Sequence, residues 1–286
     1  MRGGLVTGVL AGLTAVLATG CGHDDGPRAD LVVRGTPPAT PYRGPLYVPV
    51  KSADDDSAEA LSAASGAAGR ALECDGRIFD GTGPDGWSES DGGATPEQGL
   101  ALYLGMFQPE LPDHGYRVER RAADRVLFSL DVGGRTKAAV VVAKDQPNRP
   151  GWGPETSASC DPAELPPSFT ATTGREIWTG RDGRRVPVTT LESASGPEHC
   201  GWESAHFLDM GRRDYARDPK GVLADAGLLT APYRGRVGHL PADAYDTGYR
   251  YHDWRLWLTP DRATAYVRTA HGVEAWPLLK RKAGCD

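Results

Sequence analysis

The sharpest chemical constellation in the sequence is His199, Glu203 and His206. In a helix, spacings of four and three put these two imidazoles and one carboxylate on a single face. Such a set can hold zinc and leave one position open for water. The two histidines are seven residues apart, however, which is two turns or about 10.5 Å along a helix axis, too far to share one ion without distortion. The order is not His-Glu-x-x-His either. The spacing favours a solvated helix in which Glu203 pairs with a neighbouring histidine, and no metal or cofactor is expected. A second pattern, Asp75-Gly76, Asp80-Gly81 and Asp85-Gly86, lacks the alternate carboxylates and closing glutamate of a calcium loop and reads as solvated turns. Gly-x-Ser-x-Gly elbows and phosphate loops are absent. A hydrolase would have to assemble its triad from distant positions.

Five of the seven tryptophans fall in the second half, at Trp178, Trp202, Trp254, Trp257 and Trp276. If Leu256, Leu258, Ala263, Ala265 and Val267 face a core, strand alternation places Arg255, Trp257, Tyr266 and Arg268 together on the opposite face. These four form a candidate ligand platform, able to stack on a sugar or a peptide. Cross-strand packing accounts for the same residues without any ligand.

Elements must hold such side chains in place, and the first question is where the chain sits. It opens with Arg2 and an apolar run from Leu5 to Leu17, shorter than the roughly 20 residues of a membrane span. The basic tip and small-residue exit are those of an export signal, residues 1–20. Leu17-Ala18-Thr19-Gly20-Cys21 resembles the lipobox of bacterial lipoproteins, although Ala18 is a less usual residue at its place. The resemblance implies that Cys21 is lipidated and becomes the mature N-terminus. Two or more acyl chains then anchor the protein, where one alone is marginal. Residues 21–41, rich in Gly, Pro and Asp, read as a tether.

Export also gives the other cysteines a meaning. Cys74, Cys160, Cys200 and Cys285 are even in number, and disulfides are the default outside the cell. Of three connectivities the simplest is sequential, Cys74–Cys160 and Cys200–Cys285. Net charge is −6 over 286 residues, and removal of the signal takes away only Arg2, giving −6 − 1 = −7. That balance argues against a nucleic-acid partner and a polybasic membrane patch.

Length suggests about two domains, and the pattern predicts α+β units with mainly antiparallel sheet and packed helices, at 42–165 and 175–286. Residues 166–174, opening on Pro166-Pro167, read as the linker. In the first unit, Leu46–Val50 reads as a strand. Ser57 and the preceding aspartates can cap a helix carrying Leu61, Ala64, Ala68 and Leu72. Residues 75–93 read as a loop, and Thr95-Pro96-Glu97-Gln98 opens a helix carrying Leu100, Tyr103, Leu104 and Phe107. Strands follow at Tyr116–Arg120, Arg125–Asp131, Lys137–Ala143 and Thr156–Ser159, the middle two joined through Gly133-Gly134.

In the second unit a hairpin is predicted around Asp182-Gly183. A capped helix is predicted from Ser195 through Cys200, Trp202 and Phe207. After an irregular stretch at 212–246, strands resume at Tyr249–Tyr251, Arg255–Leu258, Ala263–Arg268 and Val273–Pro277. Gly115-Tyr116-Arg117 before Arg125 and Gly248-Tyr249-Arg250 before Arg255 form an internal echo.

Around Cys74-Asp75-Gly76, Thr95-Pro96-Glu97 and Cys160-Asp161-Pro162 the mature chain resembles uncharacterised lipoproteins of actinobacteria. That resemblance implies a location on the extracytoplasmic face of the cell membrane and implies no activity. The expected function is a non-enzymatic binding or envelope-interaction module, anchored in the lipid membrane, for an envelope protein, glycan or small molecule. The alternative is an anchored hydrolase of wall or extracellular polymer.

Overall fold

The computed structural model describes residues 28–35, 38–51, 57–82, 92–106 and 111–280. The signal segment 1–20, Cys21, Asp54 to Asp56, Asp85-Gly86, Phe107 and Cys285 lie outside the described residues. Among the described residues no helix is long and apolar enough to cross a membrane.

The first half is one five-stranded antiparallel sheet with helices on both faces. Helices α1 (Ala58–Ala64) and α2 (Gly66–Ala71) precede β1 (Ile78–Thr82), and α3 (Pro96–Met106) precedes β2 (Tyr116–Arg121), β3 (Arg125–Val132), β4 (Arg135–Gln146) and β5 (Arg149–Cys160). The strand order is β1-β5-β4-β3-β2. The caps form as the sequence predicts. Ser57 accepts from the Ala60 amide, Thr95 accepts from the Gln98 amide, and the Gln98 side chain reaches back to the amide of Ala94. Gly133 and Gly134 both take positive φ, 61° and 78°, so Val132 pairs Arg135 across a two-residue turn whose twist suits a hairpin.

Both faces of β3 are buried. Val126, Phe128 and Leu130 meet Leu100, Tyr103 and Leu104 of α3. On the reverse side Leu127, Ala139 and Val141 meet Ala67, Ala68 and Ala71 of α2. Gly66 allows the close approach on that side. A Cβ built there would lie 2.8 Å from Thr156 Cγ2 and 3.2 Å from the Val48 carbonyl, and its φ is +51°.

Several expectations about this half are corrected. Leu46–Val50 forms no strand, although Leu46 and Val48 are buried as extended chain against α2. The expected loop at 75–93 contains β1, which joins the sheet edge through Ile78 opposite Cys160. The tether is not free over its whole length, because Leu31 enters the α3 core and Val32 bridges Tyr116 on the outer edge of β2. That pairing covers backbone groups that an edge strand would otherwise expose. The expected linker holds a single-turn helix, α4 (Pro167–Thr170), with Phe169 packed on the first core.

The second half is two antiparallel sheets packed face to face. A small sheet contains β6 (Glu192–Ser195), β7 (His206–Asp209) and β8 (Asp214–Arg217). A one-turn helix, α5 (Val222–Asp225), follows. The larger sheet contains β9 (Arg234–Val237), β10 (Tyr245–Tyr251), β11 (Trp254–Leu258), β12 (Thr264–Thr269) and β13 (Gly272–Pro277). Between the sheets lie Trp178, Leu191, Leu208, Tyr215, Leu256, Val267 and Trp276. The capped helix predicted from Ser195 does not form. Glu198–Cys200 makes one 3-10 turn, Gly201 ends it at φ 69°, and Phe207 belongs to β7. Local capping lost to strand pairing, in which Ser195 lies opposite His206. The stretch at 212–246, read as irregular, holds β8, α5 and β9. The hairpin around Asp182-Gly183 is reduced to one bridge, Thr179 to Arg185.

The order of the larger second sheet is β10-β11-β12-β13-β9. In both halves a four-stranded meander runs in sequence, and the strand preceding it pairs with the meander's last strand. The Gly-Tyr-Arg echo falls at corresponding places, at the start of β2 and within β10. A helix separates β1 from β2, whereas a short loop separates β9 from β10, so the echo is one of strand order and not of helix content.

Cys74 and Cys160 form a disulfide, with Cα atoms 5.3 Å apart, closing the β1–β5 edge. Cys200 is likewise disulfide-bonded. Its expected partner, Cys285, lies outside the described residues. Next to Cys160 the buried Asp161 ties the halves together. Its Oδ1 accepts from the Ala163 amide at 2.9 Å and the Val188 amide at 3.0 Å, and its Oδ2 accepts from the Thr189 amide and hydroxyl at 3.3 Å each.

Candidate functional site

β11 and β12 pair with Arg255 opposite Arg268, Leu256 opposite Val267, Trp257 opposite Tyr266 and Leu258 opposite Ala265. Leu256, Leu258, Ala265 and Val267 are 1 % exposed or less and face the small sheet. Alternation therefore sends Arg255, Trp257, Tyr266 and Arg268 to the outer face. There their environments diverge. Tyr266 is only 7 % exposed, because Val237 and Leu240 fold over it together with Val273 and Ala275, so it supports the face from beneath and does not join an open platform. Trp257 is half-buried, and Arg255 and Arg268 are exposed.

The electrostatics of this face turn on three arginines in one row. Arg250 of β10 lies opposite Arg255, which lies opposite Arg268. Arg250 grips Asp246 with two nearly parallel bonds of 3.1 and 3.0 Å. That fork holds the Asp246 carboxyl below the usual carboxylate range. Arg255 and Arg268 have no ion-pair partner among the described residues. The Arg268 guanidinium stacks over the Trp257 ring, 5.1 Å from its centroid. Like charges directly opposite on neighbouring strands oppose pairing, and stacking on an indole is the compensation seen here.

His199, Glu203 and His206 do not gather. His199 sits on the 3-10 turn and Glu203 on an exposed turn, while His206 lies on β7, where its Nε2 meets Glu176 Oε2 at 2.6 Å. The His206 ring stands edge-on to Trp254 and Trp276, at 5.2 and 5.8 Å. Glu176 also accepts from the Ser193 hydroxyl, which in turn accepts from Trp178 Nε1 at 2.7 Å. Serine, histidine and a carboxylate thus converge, but the carboxylate lies between the other two. The serine, 1 % exposed, has its hydroxyl engaged as donor and acceptor. No nucleophile-to-imidazole bond exists in this cluster, and it pins the strands together. Sequence spacing could not reveal it, since Glu176 and His206 stand 30 residues apart.

A cleft of about 770 Å³ opens between the halves. Asp75, Arg135, Lys137 and Glu164 line one side, and Asp182, Arg184, Arg185 and Tyr249 the other. Most of its charges are spent on the protein. Lys137 Nζ donates to Glu164 at 2.6 Å and to the Glu73 carbonyl at 2.8 Å, and Arg135 donates to Asp75. Arg185 spans the halves, donating to the Leu165 carbonyl and the Thr170 hydroxyl at 2.6 Å each, and burial pushes its guanidinium down.

The one gathering of three metal-donor side chains among the described residues is Cys74, Cys160 and Glu164. Its two sulfurs are bonded to each other, and Glu164 holds Lys137. Comparison of the chain with protein-family models, with curated proteins and with solved structures gives no match.

Proposed function

We propose that this chain is a lipid-anchored binding module of the extracytoplasmic face, engaging an envelope component through the outer face of β11 and β12. In this reading Cys21 carries the acyl chains. The two halves act as α+β units, at 42–165 and 175–286, stapled by Cys74–Cys160 and Cys200–Cys285. The observation that carries the reading is the pair of guanidiniums that have no carboxylate partner among the described residues, Arg255 and Arg268, one of them stacked on a half-buried Trp257. Arginine and tryptophan are the residue types that dominate binding energy where they are exposed and held in place. An anchored hydrolase gains no support from the Glu176–His206–Ser193 cluster, whose serine is buried and saturated.

Two measurements test the proposal. The first is fractionation of cells carrying the wild-type chain and Cys21→Ser: the wild type stays with the membrane and the variant is released or mislocalised. Unchanged retention of the variant would overturn the anchor. The second is sedimentation of the purified full chain with isolated cell-envelope material, in which Trp257→Ala lowers the bound fraction several-fold. Equal sedimentation of wild type and variant would remove this face as the binding surface.

A further inference from the structure

We infer that the Arg255–Arg268 pair receives carboxylate groups of an acidic glycan, an inference that rests on the outer face of β11 and β12 being the binding surface. Neighbouring strands run about 4.8 Å apart, and Arg255 and Arg268 face each other across that distance without a carboxylate among the described residues. The third arginine of the row, Arg250, is neutralised by Asp246. Among the described residues an acid is supplied to one arginine and none to the other two. An anion seated between them converts a repulsive pair into two charge-assisted forks.

The guanidinium suits a planar, bidentate acceptor, and it is more weakly hydrated than an ammonium, so the carboxylate displaces little bound water. Stacking on Trp257 restrains the Arg268 guanidinium before any ligand arrives. Preorganisation of this kind lowers the ordering cost of binding.

One feature selects a sugar acid over other anions. Trp257 lies half-buried beside the pair, and the part of its indole that Arg268 does not cover offers apolar surface against which a sugar ring can pack; a polyol phosphate chain has no such ring. The chain as a whole carries −6, so this is a local reversal of sign that acts at contact and is screened within about 8–10 Å by salt.

The test uses the full chain in detergent and isothermal titration with three probes: polygalacturonate, its fully methyl-esterified form, and a glycerol-phosphate polymer. Polygalacturonate should bind, with affinity falling about tenfold in Arg255→Gln and in Arg268→Gln and vanishing in the double variant. The ester and the phosphate polymer should bind at least tenfold more weakly. Arg268→Lys keeps the charge and loses the fork, and should fall close to Arg268→Gln. Both arginines are exposed, so far-UV circular dichroism of the variants should match wild type.

Equal binding of the ester would overturn the carboxylate assignment while leaving the face as a neutral-sugar platform. Tighter binding of the phosphate polymer would overturn it in favour of a phosphate receptor. If polygalacturonate does not bind but envelope sedimentation still depends on Trp257, the inference falls and the binding-face reading stands.

Discussion

Replacing Asp161 probes the clasp between the halves, and the structure sets the size of the effect. The side chain is buried, and its four accepted bonds divide into two kinds. Oδ1 serves the amides of Ala163 and Val188, which are both buried residues. Oδ2 serves the amide and hydroxyl of Thr189, which is exposed. In Asp161→Ala the two buried amides lose their acceptor, and each orphaned donor costs about 1–3 kcal/mol. The Thr189 groups turn to water and cost little. The expected loss is therefore about 3–4 kcal/mol, which for a chain of this size lowers Tm by about 6–16 °C.

Asp161→Asn separates the two contributions. Its carbonyl oxygen can keep both buried amides, while its amide group faces the Thr189 N–H and must give up that side, for a loss of about 1–2 kcal/mol. Urea denaturation under non-reducing conditions measures both variants. A loss below about 1 kcal/mol for the alanine variant, or equal losses for the two variants, would refute the assignment of the stability to the Oδ1 bonds.

Three further outcomes follow from the same geometry. Gly66→Ala should destabilise by about 2–3 kcal/mol, since it places a Cβ at φ +51° and 2.8 Å from Thr156 Cγ2; a neutral denaturation midpoint would contradict that close approach. The Cys74→Ser, Cys160→Ser double variant frees a loop of separation 86 and should lose up to about 4–5 kcal/mol on the chain-entropy account. Wild type assayed in excess dithiothreitol is the control, and should fall at least as far as the variant. The Asp246 carboxyl is held below its ordinary value, chiefly by Arg250, so the ionised form stabilises the fold. That stability is complete above about pH 4 and is lost as pH falls through the lowered folded value. Asp246→Asn should flatten the acid limb of a pH–stability curve below pH 4, and an unaltered limb would show that the fork contributes nothing.

Much of the secondary structure was legible because it rests on local physics. The capping residues Ser57, Thr95 and Gln98, the Gly133-Gly134 turn and the alternation along β11 and β12 each act within a few residues, and each forms as read. The failures occur where distant partners decide. The segment after Ser195 has the cap of a helix, but Gly201 stops it and β6 recruits its continuation as β7. That outcome also dissolved the histidine cluster, whose spacing has meaning only on a helix. The Leu31-Val32-Val33 island reads as part of a tether, since nothing near it in sequence needs it. Its partner is the exposed edge of β2, more than eighty residues on.

By itself, the sequence determined the alternation that separates Leu256 and Val267 from Arg255, Trp257 and Arg268, and the candidate pairing of Cys74 with Cys160. Period and turn chemistry are properties of neighbouring residues, and each survives in any fold that keeps the strands. Tertiary structure alone decided which charges are spent. Asp246 neutralises Arg250, while Arg255 and Arg268 stand opposite each other without a carboxylate among the described residues, and Tyr266 sinks beneath Leu240. Charge compensation and burial depend on what strand register and the covering chain bring within a few ångströms, and that distance is not written in the spacing of residues along one strand.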